Sequence, residues 1–177
     1  MYASRVAEDH VDAALAGWRR EVPELDASSI AISERISRVS TLLERQLGPV
    51  LSRHAISAGE LDVLAALRRC GTPYRLTPTA LSAGLLVTSG GMTKRLTALE
   101  VAGLIRRVPD PSDRRSRAVE LTARGRQLVE SALEARLKTE KRILAGLRKR
   151  QRRDLAAVLR ELCIELGDEP LSPKARS

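Results

Sequence analysis

The stretch that decides the fold runs from Leu76 to Gly125, LTPTALSAGLLVTSGGMTKRLTALEVAGLIRRVPDPSDRRSRAVELTARG. Thr77-Pro78 is a helix start, a hydroxyl cap followed by a proline whose missing N–H costs little at the first helical position. The helix it opens carries Leu81 inward and stops near Gly84. Thr88 or Ser89 caps a second helix, which ends at Gly103, a residue suited to a helix C-terminus. At about 100° per residue, Met92, Leu96 and Leu99 share one inward stripe, and Gly90, Thr93, Lys94 and Thr97 fall on roughly the opposite side. Gly90 and Gly91 lower helix propensity but admit a sugar-phosphate backbone at close range. Arg95 sits on the shoulder of the buried stripe and is expected to point partly into the protein.

Leu104 to Val108 and Arg117 to Leu121 read as two β-runs joined by Pro109-Asp110-Pro111-Ser112-Asp113-Arg114-Arg115-Ser116. Two prolines and the aspartates give that turn a mechanism. Asp113 beside Arg114 and Arg115 suggests one local ion pair that steadies the loop while the other guanidinium faces outward. A short helix, a turn, a second helix and a basic two-stranded ribbon together define a winged helix–turn–helix. Small, hydroxylated and basic residues on the second helix suit a DNA groove, and a ribbon arginine suits the enhanced negative potential of a narrow minor groove. The fold expected is therefore mainly α with a two-stranded β wing, and the function expected is sequence-specific DNA binding. The residues assigned to the duplex are Thr77, Thr79, Ser89, Gly90, Thr93, Lys94, Thr97, Arg114, Arg115 and Arg117.

Bulk composition agrees. The 177 residues are 43% hydrophobic but only 2% aromatic, with no Phe, so the core must come from Leu, Val, Ile and Ala. A formal charge of +9 favours a polyanionic partner, nucleic acid before anionic membrane. No apolar run approaches the ~20 residues of a spanning helix. The opening MYASRVAEDH lacks the apolar centre of a secretory signal. Two widely separated cysteines, Cys70 and Cys163, imply no disulfide framework and suit a reducing cytoplasm.

Helical patterns flank the central module. Val11, Ala14, Leu15 and Trp18 make one stripe over residues 8–19, and Pro23 ends it. A longer helix from about Ser28 to His54 shows Ile32, Ile36, Val39, Leu43, Leu47 and Leu51. Ser57-Ala58-Gly59-Glu60 is a capping box opening a helix with Leu61, Leu64 and Leu67 buried and Asp62 at the stripe's edge. Thr122 caps a long helix through Leu128, Leu133, Leu137 and Leu144. Gly146 breaks it, and a last helix from about Arg150 to Leu166 carries Leu155, Val158, Leu159, Leu162 and Leu166.

The long helix leaving the wing cannot bury its apolar face on so small a module, so pairing with a second copy is expected. A two-fold dimer presents two modules to half-sites about 34–36 Å apart on a palindrome. The expected organisation is N-terminal helices over 1–55, the DNA-binding module over 56–122, dimerisation helices over 123–167 and a disordered tail over 168–177. The basic run from Arg148 to Arg153 reads as a solvated patch at a helix start.

Catalysis finds little support. His10 and His54 have no partners at metal-ligand spacing, and no nucleophile–base grouping or phosphate-cradling loop is present. No cofactor is expected. The remaining alternatives to a specific regulator are a non-specific architectural DNA-binding protein and a thiol redox sensor, although both cysteines read more simply as small core residues.

The run VTSGGMTKRLTALEVAGLIRR with DPSDRRSRAVELTARG closely resembles the MarR family of winged-helix regulators, in element order from roughly Ile30 to Leu166. The resemblance implies a homodimer on a pseudo-palindromic operator, usually a repressor relieved by a small ligand, with a wing arginine in the minor groove. A narrower likeness is to the urate-responsive, PecS-like subgroup. Its four ligand positions are matched by Trp18 in GWRRE, Asp62 in ELDVL, Arg95 in TKRL and Arg107 in LIRRVPD, with Leu61 where the subgroup carries an aromatic. That likeness implies an anionic purine held by Arg107 and Trp18, repelling Asp62 and so displacing Arg95.

Overall fold

The computed structural model describes residues 7–110 and 117–168; Arg114, Arg115 and the tail beyond Asp168 lie outside them. The chain divides at Gln46/Leu47 into two compact units.

In the first unit, helix α1 (His10–Glu21) starts at Asp9, whose carboxylate accepts the backbone N–H of Val11 and of Asp12 at 2.8 and 3.0 Å, while Asp12 returns the favour to the Asp9 N–H. This is a capping box with Asp in the place of the usual Glu. Helix α2 (Ile30–Ser52) begins in this unit and sends Arg35 back to Asp9 and Asp12 at 2.8 and 2.7 Å. The Arg35 hydrogen bond, helped by the Asp12 N–H, brings the Asp9 carboxyl down to about 2. Val11, Leu15 and Ala27 form the small core. The stripe read from the sequence is thus buried at Val11 and Leu15, and Trp18 at its far end is 43% exposed.

The second unit holds the main core. Helix α3 (Ala58–Arg69) opens with the expected reciprocal box: the Glu60 N–H donates to the Ser57 hydroxyl at 3.3 Å and the Ser57 N–H to the Glu60 carboxylate at 2.7 Å. Strand β1 (Arg75–Leu76) leads into α4 (Pro78–Gly84), capped by Thr77, and α5 (Ser89–Val101), capped by Thr88. Strands β2 (Ile105–Pro109) and β3 (Arg117–Leu121) follow, then α6 (Ala123–Ile143), a 3-10 turn at Leu144–Gly146, and α7 (Lys149–Glu165). Leu61, Leu64, Leu67, Leu81, Met92, Leu96, Leu99, Val119 and Val129 are sealed in one cluster.

The sheet is antiparallel in the order β1-β3-β2, so the expected two-stranded wing gains a third strand. Two residues are too short to show alternation, which is why β1 left no mark in the sequence. The two ends of the wing are welded together. The Thr122 hydroxyl donates to the Gly103 carbonyl at 2.9 Å and accepts the Gly125 N–H at 3.0 Å as the cap of α6. Gly103 itself has φ +69, the left-handed geometry expected just past α5. A Cβ on Gly125 would meet the Leu104 carbonyl oxygen at 2.0 Å, so only glycine lets α6 leave the sheet so closely.

Helix α7 buries none of its residues: Leu155, Val158, Leu159 and Ile164 are all exposed, as are Leu137 and Leu144 before it. On α2, Ile32, Ile36 and Val39 are exposed too, and Leu47 and Leu51 are buried.

Candidate nucleic-acid interface

Helix α5 sorts its residues by face. Met92, Leu96 and Leu99 are each 1% exposed, and Ser89, Gly90, Thr93, Lys94 and Thr97 all face solvent. The helix ends supply the start of this surface. Thr88 accepts the Gly91 N–H at 3.3 Å, and the Thr93 hydroxyl donates to the Ser89 carbonyl at 2.9 Å. Nothing lies within 4 Å of the Cβ position at Gly90, which leaves that edge open to an approaching backbone. Thr79 on α4 is exposed, and Thr77 is half-buried because its hydroxyl accepts the Ala80 N–H at 3.1 Å. Arg117 is exposed at the start of β3, opposite Pro109 in the ladder.

Behind the ribbon lies a group that sequence reading missed. Glu120 on the central strand faces Arg75 across one ladder and Arg106 across the other. Its carboxylate is buried and accepts hydrogen bonds from both guanidiniums, from Arg75 Nε at 3.1 Å and Arg106 Nε at 2.9 Å. Burial alone would raise this carboxyl, but the two arginines outweigh it and hold it below its ordinary value. Three strands are therefore clamped by one side chain. The only sequence signal was an acidic residue in an otherwise buried strand.

The four positions of the subgroup likeness fall as follows. Asp62 pairs with Arg136 of α6, Nη1 to Oδ1 at 3.5 Å, and Arg136 also donates to Glu140 at 2.8 Å. Arg95 is half-buried, as its place on the shoulder of the stripe predicted. Its guanidinium lies over α3, where a Cβ on Gly59 would be 2.5 Å from Cζ. Arg107 donates to Glu100 of α5 at 2.9 Å. Trp18 belongs to the first unit. Arg136 is thus a partner that no motif announced; its i,i+4 pairing with Glu140 made it look like ordinary helix-surface chemistry.

Cys70 packs partly against the core and donates to the Leu67 carbonyl at 3.0 Å, whereas Cys163 is exposed on α7 rather than in a core. The reason is that α7 buries none of its residues. Among the described residues, no cluster of three or more His, Cys, Asp and Glu could hold a metal ion, and no helix is long and apolar enough to cross a membrane.

A capped helix pair with an open polar face, set beside a clamped basic ribbon, defines a winged helix–turn–helix DNA-binding protein. Known proteins agree. The profile of the MarR family matches residues 54–116. The HTH-type transcriptional regulator PecS of Dickeya dadantii (strain 3937) is 38% identical over 142 residues, covering 80% of this chain and 86% of that one. Among solved structures, a cysteine-to-serine mutant of MarR from E. coli complexed with operator DNA superposes with a TM-score of 0.68 at 24% identity, over 82% of this chain and 96% of that one. An organohalide-sensing transcriptional regulator, RdhR, in its 2,4-dichlorophenol-bound form, gives 0.74 at 17% identity over 98% of both chains. These two likenesses establish the fold. The chain belongs to the MarR family: it is a DNA-binding transcriptional regulator and not an enzyme.

Proposed function

We propose that the chain works as a homodimeric repressor of a palindromic operator, released by a small anionic aromatic ligand such as urate. The observation that carries the dimer is α7, an amphipathic helix with no buried residue and with Leu155, Val158, Leu159 and Ile164 open to solvent. A second copy supplies the same face in return and closes a two-fold interface. In this reading residues 1–55 and 123–167 pair the copies and residues 56–122 meet the duplex, with Arg115 in the minor groove.

The effector reading is supported by the match of Trp18, Asp62, Arg95 and Arg107 to the ligand positions of the PecS-like subgroup and by the engagement of Arg107 with Glu100. An anion that takes Arg107 must dislodge Glu100, which sits in the last turn of α5. Binding is thereby linked to the helix that reads DNA. A coupling of about 1–3 kcal/mol weakens DNA binding about 5–150-fold.

The test is transcription in vitro from an operator-bearing promoter, with urate titrated onto wild type and Arg107→Ala. The protein should silence the promoter, urate should restore it for wild type, and Arg107→Ala should stay bound. Silencing that urate does not relieve would defeat the ligand assignment. Activation in place of silencing would defeat the repressor assignment.

A further inference from the structure

Leu86 stands between α4 and α5 with its backbone in the left-handed region, at φ +51. The hydrogen bonds around it explain why. The Val87 N–H donates to the Ser82 carbonyl at 3.0 Å and the Leu86 N–H to the Ala83 carbonyl at 3.4 Å. That pair of bonds closes α4 in a Schellman motif, whose left-handed place normally falls to glycine. Gly71, Gly103 and Gly167 hold positive φ just past α3, α5 and α7, and Ala55, past α2, brings only a methyl group to such a place. At Leu86 a full leucine side chain occupies it, and the Cβ crowds the carbonyl that follows. Strain of this kind persists only where the surroundings impose it, and it gathers at functional sites.

The protein gives this side chain nothing in return. Leu85 before it and Val87 after it pack against the core, and Leu86 is 80% exposed. Among the described residues of 56–122, Val101 is the other large apolar side chain left exposed, and it lies at the opposite end of α5. Leu86 comes two positions before Thr88, the cap of α5, beside the exposed Ser89 and Gly90. A groove-reading helix presents its N-terminal end to base edges. In the major groove the apolar feature among those edges is the 5-methyl group of thymine.

We propose that Leu86 is a specificity-determining residue that covers the 5-methyl group of one thymine in the duplex bound by each module. Water leaves both apolar surfaces when they meet, and that burial offsets the strained, exposed leucine only in the complex. A base without the methyl group at the same place is disfavoured. The proposal rests on the docking of α5 in the major groove, and it adds an apolar contact to the polar ones of Ser89, Thr93 and Lys94.

The full chain is first used to select duplexes from a random pool. Each thymine of the selected sequence is then replaced singly by deoxyuridine, which removes the methyl group and nothing else. Fluorescence anisotropy compares wild type with Leu86→Gly and Leu86→Asn, both of which suit a left-handed backbone. For wild type, uracil at one thymine should weaken binding about fourfold, as expected for one methyl group returned to water. Both variants should bind the parent duplex more weakly by at least that factor and be indifferent to the same replacement, with thermal midpoints no lower than wild type. A pool that yields no preferred sequence, a wild type to which no thymine methyl matters, or variants that keep wild-type affinity or still respond to the replacement would overturn the proposal. Lower thermal midpoints in both variants would also overturn it, by making Leu86 a packing residue. Lys94→Ala separates the two readings. If its affinity depends on salt as wild type does, α5 does not dock in the groove and the underlying reading fails. A reduced salt dependence together with no methyl response overturns the role of Leu86 alone.

Discussion

Arg107 on β2 donates through Nε to the carboxylate of Glu100 at 2.9 Å, which ties an edge strand of the wing to the last turn of α5. The pair is partly exposed, Arg107 at 35% and Glu100 at 40%. In the effector reading proposed above, the anion and Glu100 compete for one guanidinium. Glu100→Gln removes the competitor and should lower the urate concentration at half-release by about 1.5- to 5-fold, the range of an exposed pair. Anisotropy titration of the operator complex measures it. A midpoint that stays put or rises would mean that the anion does not bind at Arg107.

Lys94 is exposed on the outer face of α5, away from Met92, Leu96 and Leu99. Lys94→Ala should weaken operator binding and reduce the slope of log K against log salt by about 1, the signature of one lost phosphate contact. Arg115→Ala should do likewise and also relax preference at the flanking minor-groove positions. An unchanged slope for Lys94→Ala would remove it from the interface, and equal affinity of wild type for a palindrome and for random duplex would favour a non-specific architectural role.

Val158 is 62% exposed in the middle of α7. A carboxylate there is harmless on a solvated helix and disruptive between two apolar faces. Val158→Glu should therefore halve the mass seen by sedimentation equilibrium while the far-ultraviolet circular dichroism keeps its helical shape. Binding to the full palindrome should drop toward that of a half-site. A Val158→Glu protein that sediments as wild type would place the copy-to-copy contact elsewhere.

Glu120 has a carboxyl held below its ordinary 4.5: burial works to raise it, and the hydrogen bonds of Arg75 and Arg106 prevail. A depressed value in the folded chain means that the clamp contributes fully above the unfolded pKa and is lost as the pH falls through the folded one. Glu120→Gln should cost about 1–3 kcal/mol at pH 7, as expected for charge-assisted hydrogen bonds with one partner removed. The gap between wild type and variant in urea unfolding should close as the pH drops below 4.5. A gap independent of pH would show that shape and not charge matters at this position.

The elements of the DNA-reading module were legible in the chain because their signals are local. Caps at Ser57, Thr77, Thr88 and Thr122 mark helix starts through bonds that span only a few residues, and the stripe of Met92, Leu96 and Leu99 follows from the helical repeat alone. The composition of the outer face of α5, and hence a DNA-binding reading, came with that repeat. Strand β1 could not be read this way, because it exists only by pairing with residues Val119 and Glu120 that lie more than forty positions later.

What the tertiary structure alone decided is which charge meets which. Arginines and carboxylates look alike wherever they stand in a sequence, since Coulomb attraction depends on distance in space and not along the chain. Thus Asp62, which could have faced Arg95, instead meets Arg136, 74 positions away by residue number, through the packing of α3 against α6. Arg107 turns to Glu100, and Glu120 gathers Arg75 and Arg106 because the sheet order β1-β3-β2 puts it between them. The sequence by itself determined the reader of DNA. Only the fold assigned partners to the arginines around it.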